Sequence, residues 1–164
     1  MYSIGEYIVH PGQGVCRVEG VVDGPMAVYQ LLPIGQRHPM RISFPVQSAD
    51  KLRPVLSHDE AMELIEQYPT MQLDDYRDRS NALEEEHFKR EIRQGTCADT
   101  MRIVKTFRAR IAETRARNKK PPVVYERILK QASQRSLEEL SVALEMSVDD
   151  VRMLFEQRFD ESEN

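Results

Sequence analysis

Apolar positions over the first fifty residues fall in short runs cut by turn residues, with no helical period. Glu6–His10 is one run, ended by the turn signal Pro11-Gly12-Gln13-Gly14. Val15–Val22 follows to Asp23-Gly24-Pro25, then Met26–Leu32, closed by Pro33 and Gly35. Met40–Phe44 alternates strictly, with Met40, Ile42 and Phe44 on one face and Arg41 and Ser43 on the other. Lys51–Arg53 adds a short fifth strand. Turn signals at roughly ten-residue spacing predict a small β-barrel or curled sheet. At Pro54 the pattern changes. Ser57-His58-Asp59-Glu60 is a capping box, opening a helix through Met62, Leu64 and Ile65 to about Tyr68, where Pro69 stops it. A second helix runs from about Ser80 to Gln94, with Gly95 as its C-terminal cap. Thr96, with Asp99 three residues on, caps a third that continues to about Arg117. Pro121-Pro122 starts a fourth. Ser136 with Glu139, and Ser147 with Asp150, open two short final helices. The predicted fold is α+β in two modules, a β module over 1–53 and an all-α domain over 54–164, with no flexible linker, repeat or low-complexity tract.

Charge sharpens this division. The chain has 164 residues and a net charge of −4, which conceals a strong segregation. Residues 1–53 hold five basic and four acidic side chains, residues 54–88 two and ten, residues 89–135 fourteen and four, and residues 136–164 two and nine. The third segment therefore builds a local positive field. On the third helix, Met101, Val104, Phe107 and Ile111 share one face. Arg102, Lys105, Arg110 and Arg117 fall opposite, with Arg108 and Arg115 at the flanks. Lys119 and Lys120 extend the row, and Arg127 and Lys130 lie on the fourth helix. Glu113 is the only acid between residues 100 and 125, whereas a solvated helix face alternates signs and uses i,i+4 pairs. Two readings stay open: contact with nucleic-acid phosphates, or docking against the acidic segments of the chain itself or of a protein partner.

Other constellations narrow the function. No apolar run approaches the roughly 20 residues of a membrane span, and Met1–Glu6 lacks a basic leader followed by an apolar block. Cys16 and Cys97 form neither a disulfide framework nor a zinc pattern, and His10, His38, His58 and His87 lack ligand spacing. These features fit a reduced, cytoplasmic protein with no cofactor, no metal and no small-molecule substrate. Pro11–Gly14 lacks the GxxxxGK[ST] spacing of a phosphate loop and reads as a hairpin turn. Asp74-Asp75 and Glu84-Glu85-Glu86 read as solvated faces. Residues 136–151 superficially match a helix-turn-helix, but Asp149 and Asp150 begin the would-be recognition helix, where base-edge donors are needed. That pair reads as a packing motif, and nothing in the chain argues for an enzyme.

Ile4-Gly5-Glu6-Tyr7-Ile8-Val9-His10-Pro11, Gly14-Val15-Cys16 and Phe44-Pro45-Val46 resemble the opening and the proline-marked fourth strand of the CarD/CdnL group of bacterial transcription regulators. That group shares its N-terminal RNA polymerase-interacting module with transcription-repair coupling factor. Arg53–Ser57 with Asp59-Glu60-Ala61 resembles the entry to the group's helical domain. Lys105-Thr106-Phe107 and Glu139-Leu140 with Ala143-Leu144 resemble its later part. The resemblance implies a Tudor- or SH3-like barrel docked on the polymerase β subunit, through Arg37, Met40, Arg41, Ile42, Ser43 and Phe44. It also implies a helical domain that touches promoter DNA near the upstream edge of the transcription bubble, weakly and largely without sequence readout, so modulating open-complex stability. The implied DNA-contacting residues are Tyr76 and Arg77 together with Arg102, Lys105, Arg108, Arg110, Arg115, Arg117, Lys119 and Lys120. Two positions depart from the group's pattern. Ser43 stands where a basic residue is common, with Arg41 nearest on the same face. The chain has no tryptophan, which leaves Tyr76 either as the aromatic in place of the group's wedge or as a residue packed on the helical core.

Overall fold

The computed structural model describes residues 1–163, with side chains through Gln157, so the last residue of the expected 54–164 domain lies outside the described residues. Five strands come first: β1 (Tyr7–His10), β2 (Gly14–Val22), β3 (Val28–Pro33), β4 (Ile42–Pro45) and β5 (Arg53–Pro54). They form one antiparallel sheet in the order β4-β3-β2-β1-β5. The turn at Pro11–Gly14 closes the first hairpin in register Val9↔Val15, and Gly14 supplies the positive φ of +78° that the turn requires. A bulge between Val18 and Gly20 bends β2. A 3-10 segment, Val46–Lys51, carries the chain from β4 to β5 on the opposite edge. The module closes over Ile8, Cys16, Val18, Tyr29, Leu31 and Leu52, with Ile42 and Phe44 packed against them.

Five helices follow: α1 (His58–Gln67), α2 (Asn81–Gln94), α3 (Cys97–Ala116), α4 (Val123–Leu144) and α5 (Val148–Glu163). The caps expected at Ser57 and Thr96 are both present as complete capping boxes, and Ser80 caps α2 by accepting from the Leu83 N–H. Pro69 stops the α-helix as expected, inside a 3-10 turn at Tyr68–Thr70. One expectation fails. Ser136 and Glu139 do not open a helix, because α4 runs unbroken for 22 residues. Ser136 is buried in mid-helix, where its hydroxyl lies 2.8 Å from both the Ala132 carbonyl and Thr100 Oγ1, with one proton shared between them. A serine satisfied in this way has no need of a cap position. The chain turns instead at Glu145, in the left-handed region, and Ser147 caps α5 through the Asp150 N–H.

Two helical cores share α3 and α4. Ile65, Tyr68, Met101, Leu140, Val151 and Phe155 belong to one. Phe88, Ile103, Phe107, Ile111, Tyr125 and Ile128 belong to the other. One face of α4 also fastens the β module. Glu139 accepts two bonds of 2.7 Å from the guanidinium of Arg53, the first residue of β5, and a third from the Leu56 N–H. Arg135 donates to the Pro11 carbonyl at 3.1 Å and to that of His10 at 3.5 Å. A Cβ on Gly35 would collide with the Glu138 carboxylate. No described helix is long and apolar enough to cross a membrane.

Candidate docking edge and nucleic-acid interface

β4 ends the sheet and pairs on one side only, with β3. Its outer backbone is an unpaired edge, the feature a partner strand can extend. Ile42 and Phe44 turn inward onto the β core, and Phe44 meets the His10 ring edge-on at 5.4 Å between centroids. Ser43 faces outward opposite Gln30, whose side-chain amide donates to its hydroxyl at 3.1 Å. Arg41 and Arg37 are exposed on the approach to the strand. Met40 corrects the alternation: it lies before the strand rather than on its buried face and is 76% exposed. The six expected docking residues thus form one edge with an apolar and a cationic approach.

The basic row on α3 divides. Arg110 is 5% exposed and Lys105 is half-buried, so neither belongs to an open cationic stripe. Both hold down the extended segment between α1 and α2. Lys105 Nζ donates to the Pro69 and Met71 carbonyls at 2.8 and 2.7 Å. The Asp74 N–H donates to Thr106 Oγ1 at 2.9 Å. Arg110 Nη2 donates to the Tyr76 carbonyl at 2.6 Å and to that of Asp74 at 3.2 Å. Its other terminal nitrogen lies 3.9 Å from Glu84. Glu84 is itself buried, contrary to its reading as part of a solvated run, and takes the Asp78 N–H at 2.8 Å. Burial lowers the pKa of both Lys105 and Arg110, with Arg77 adding to the effect at Arg110. The guanidinium also stacks over Phe107 at 4.9 Å, cation against ring face. These two cations therefore dock on the chain's own acidic 54–88 segment, the internal alternative left open for the row, chiefly through backbone carbonyls with Glu84 beside Arg110.

Tyr76 is held as well. Its ring stacks on His87 at 3.6 Å, meets Phe88 edge-on, and its hydroxyl donates to Asp78. In this arrangement it packs on the second helical core and does not project as a wedge. Arg108 is half-buried against the cleft between α3, α4 and α5. The remaining cations are open. Arg102 is 3.7 Å from Asp99, Arg115 3.3 Å from Glu126 and Arg117 2.7 Å from Glu113, all as solvent-exposed pairs. Such pairs are worth little and exchange readily for a phosphate. Lys119 and Lys120 are exposed in the turn before α4. Arg77, on the pinned segment, joins Arg117 and Lys119 around a hollow of about 130 Å³ with Arg110 as part of its wall. Arg77, Arg115, Arg117, Lys119 and Lys120 are thus the open cations of the expected set at this end of α3, with Arg102 farther along the helix.

Among the described residues no group of three or more His, Cys, Asp or Glu is placed to hold a metal ion. Residues 2–56 match the family model described as the CarD-like/TRCF RID domain. No curated protein matches the chain.

Proposed function

We propose that the chain, whose residues 2–56 match the CarD-like/TRCF RID domain model, a module tied to RNA polymerase interaction and transcription regulation, is a non-enzymatic regulator acting on the polymerase–promoter complex. In this reading the β4 edge, with Arg37, Met40 and Arg41 on its approach, adds to a strand of the polymerase β subunit. The open cations Arg77, Arg102, Arg115, Arg117, Lys119 and Lys120 lie along promoter phosphates. The unpaired β4 edge within a RID module is the observation that carries the reading.

The mechanism is differential binding. Phosphate contacts made only with melted DNA shift the closed–open equilibrium toward the open complex. Tethering through the β module raises the local concentration of an otherwise weak DNA-binding surface. DNA affinity of the chain alone is therefore low and falls steeply with salt. The test uses the full chain. Arg41→Glu combined with Ser43→Pro on the β4 edge abolishes co-purification with polymerase. Arg77→Glu combined with Arg117→Glu and Lys119→Glu retains polymerase but loses promoter crosslinking. Unchanged polymerase capture by the edge variant removes the reading. The exposed pairs of Arg115 and Arg117 with glutamates give a second reading, an adaptor whose basic surface docks an acidic protein. Full activity of the triple charge-reversal variant on promoters selects it.

A further inference from the structure

A second cationic surface lies where the β module meets α2 and α4. The Pro11–Gly14 turn and the segment after β3 overhang those helices and leave a cleft of about 350 Å³. Its cations are Lys89 and Arg93 from α2 and Arg135 from α4. Gln13 and Gln36 reach in from the β module, and Gln131 and Gln134 from α4. The cleft contains one carboxylate, Glu138, which accepts from the Gln134 amide at 3.2 Å and whose pKa is raised by burial. Arg135 is half-buried at the contact between modules. Its pKa is lowered by burial, and Arg53 and Arg93 lower it further.

The partners of these groups leave capacity for an anion. Arg135 donates to the carbonyls of His10 and Pro11 and also faces the Glu138 carboxylate. Lys89 shares Glu85 with Arg127. Arg93 and Gln131 are exposed and have no ion-pair or hydrogen-bond partner among the described residues. Gln36 donates to Gln13 at 2.6 Å, which brings two exchangeable amides together at the rim. Three converging cations with amide donors, in a cleft at a junction of modules, are suited to an oxyanion with several acceptor atoms.

We propose that this cleft binds phosphoryl groups, and that an occupant touches both modules at once. The proposal does not depend on polymerase binding, and it concerns residues other than the open cations of α3. The phosphoryl group can belong to a free phosphorylated metabolite or to a nucleic-acid backbone. The experiment distinguishes these sources.

The full chain is melted with millimolar sodium pyrophosphate, with a short single-stranded oligonucleotide at equal phosphate concentration, and with sodium chloride at matched ionic strength. Pyrophosphate is expected to raise the melting temperature by about 5 °C over the chloride control. Arg93→Glu and Gln131→Glu, both at exposed positions, abolish the rise, and Arg117→Glu keeps it. A rise with the oligonucleotide alone, lost in Arg93→Glu and kept in Arg117→Glu, supports the cleft with nucleic acid as the source. The absence of any rise overturns the proposal. So does a rise that survives Arg93→Glu or disappears with Arg117→Glu. Polymerase co-purification of the Arg41→Glu, Ser43→Pro edge variant, read separately, tests the regulator reading without touching this one.

Discussion

Arg110 and Arg117 stand seven residues apart on α3 and have opposite fates, one buried over Phe107 and one exposed beside Glu113. Removing Arg110 leaves Glu84 buried without its cation and frees two carbonyls, so Arg110→Ala costs about 3 kcal/mol in urea denaturation. Arg117→Glu changes stability by less than about 1 kcal/mol and, on the proposed reading, is expected to lower promoter crosslinking instead. The sequence contained a sign of this difference. At 100° per residue Ile103 lies almost under Arg110, so the apolar arc of α3 is wider than Met101, Val104, Phe107 and Ile111 indicate. Nothing local shows that Lys105 caps the Pro69 and Met71 carbonyls, because those partners come from over thirty residues away. The cysteines follow their burial. Cys16 is pushed up to about 12 and Cys97 is also raised strongly, burial being the main cause for each. Both thiols are expected to stay unreactive toward Ellman's reagent at pH 8 and to react fully in denaturant. Glu138 is raised chiefly by burial, against the pull of Gln134 and Arg135. A raised carboxyl contributes stability that is full below its unfolded pKa of about 4.3 and lost as pH rises through the folded value. Glu138→Gln is therefore expected to melt above the parent at pH 7.5, with the gap closing toward pH 4.

At the scale of elements, the strands were legible because every turn carries its own chemistry, Pro11–Gly14 and Asp23–Pro25 above all. Helix starts were equally plain where a capping residue met a helical pattern, as at Ser57, Ser80 and Thr96. The same signal misled at Ser136, since a serine followed by glutamate three residues later looks alike at a cap and in a buried mid-helix turn. Only the Thr100 hydroxyl across the interface separates the two cases. Ser133→Pro tests the continuity of α4. In a linker before a new helix it would be harmless. Inside one 22-residue helix it removes a hydrogen bond and clashes with the preceding turn, at about 3 kcal/mol with a visible loss of helical circular dichroism. The edge position of β4 was not legible, because strand order depends on where the chain returns. Here the 3-10 segment after β4 carries β5 to the far side, beside β1.

The two modules are coupled as one molecule by a few polar contacts on α4. Arg53 and Glu139 are 86 residues apart in sequence, so their pairing could not be read from spacing. Glu139 is 2% exposed and holds Arg53 from two oxygens. Glu139→Ala is expected to cost about 3 kcal/mol and to split a single calorimetric transition into two as the modules uncouple. The helix that bears this joint also runs to the basic turn at Lys119–Lys120. Sixteen residues separate Glu139 from Val123, a rod of about 24 Å at 1.5 Å per residue. A tilt of about 10° at the joint would swing the far end by roughly 4 Å, about half the groove depth of a DNA duplex. On the proposed reading, α4 is the rigid link between the Arg53–Glu139 joint and the cationic turn, so seating the β module on a large partner would also set where that turn lies.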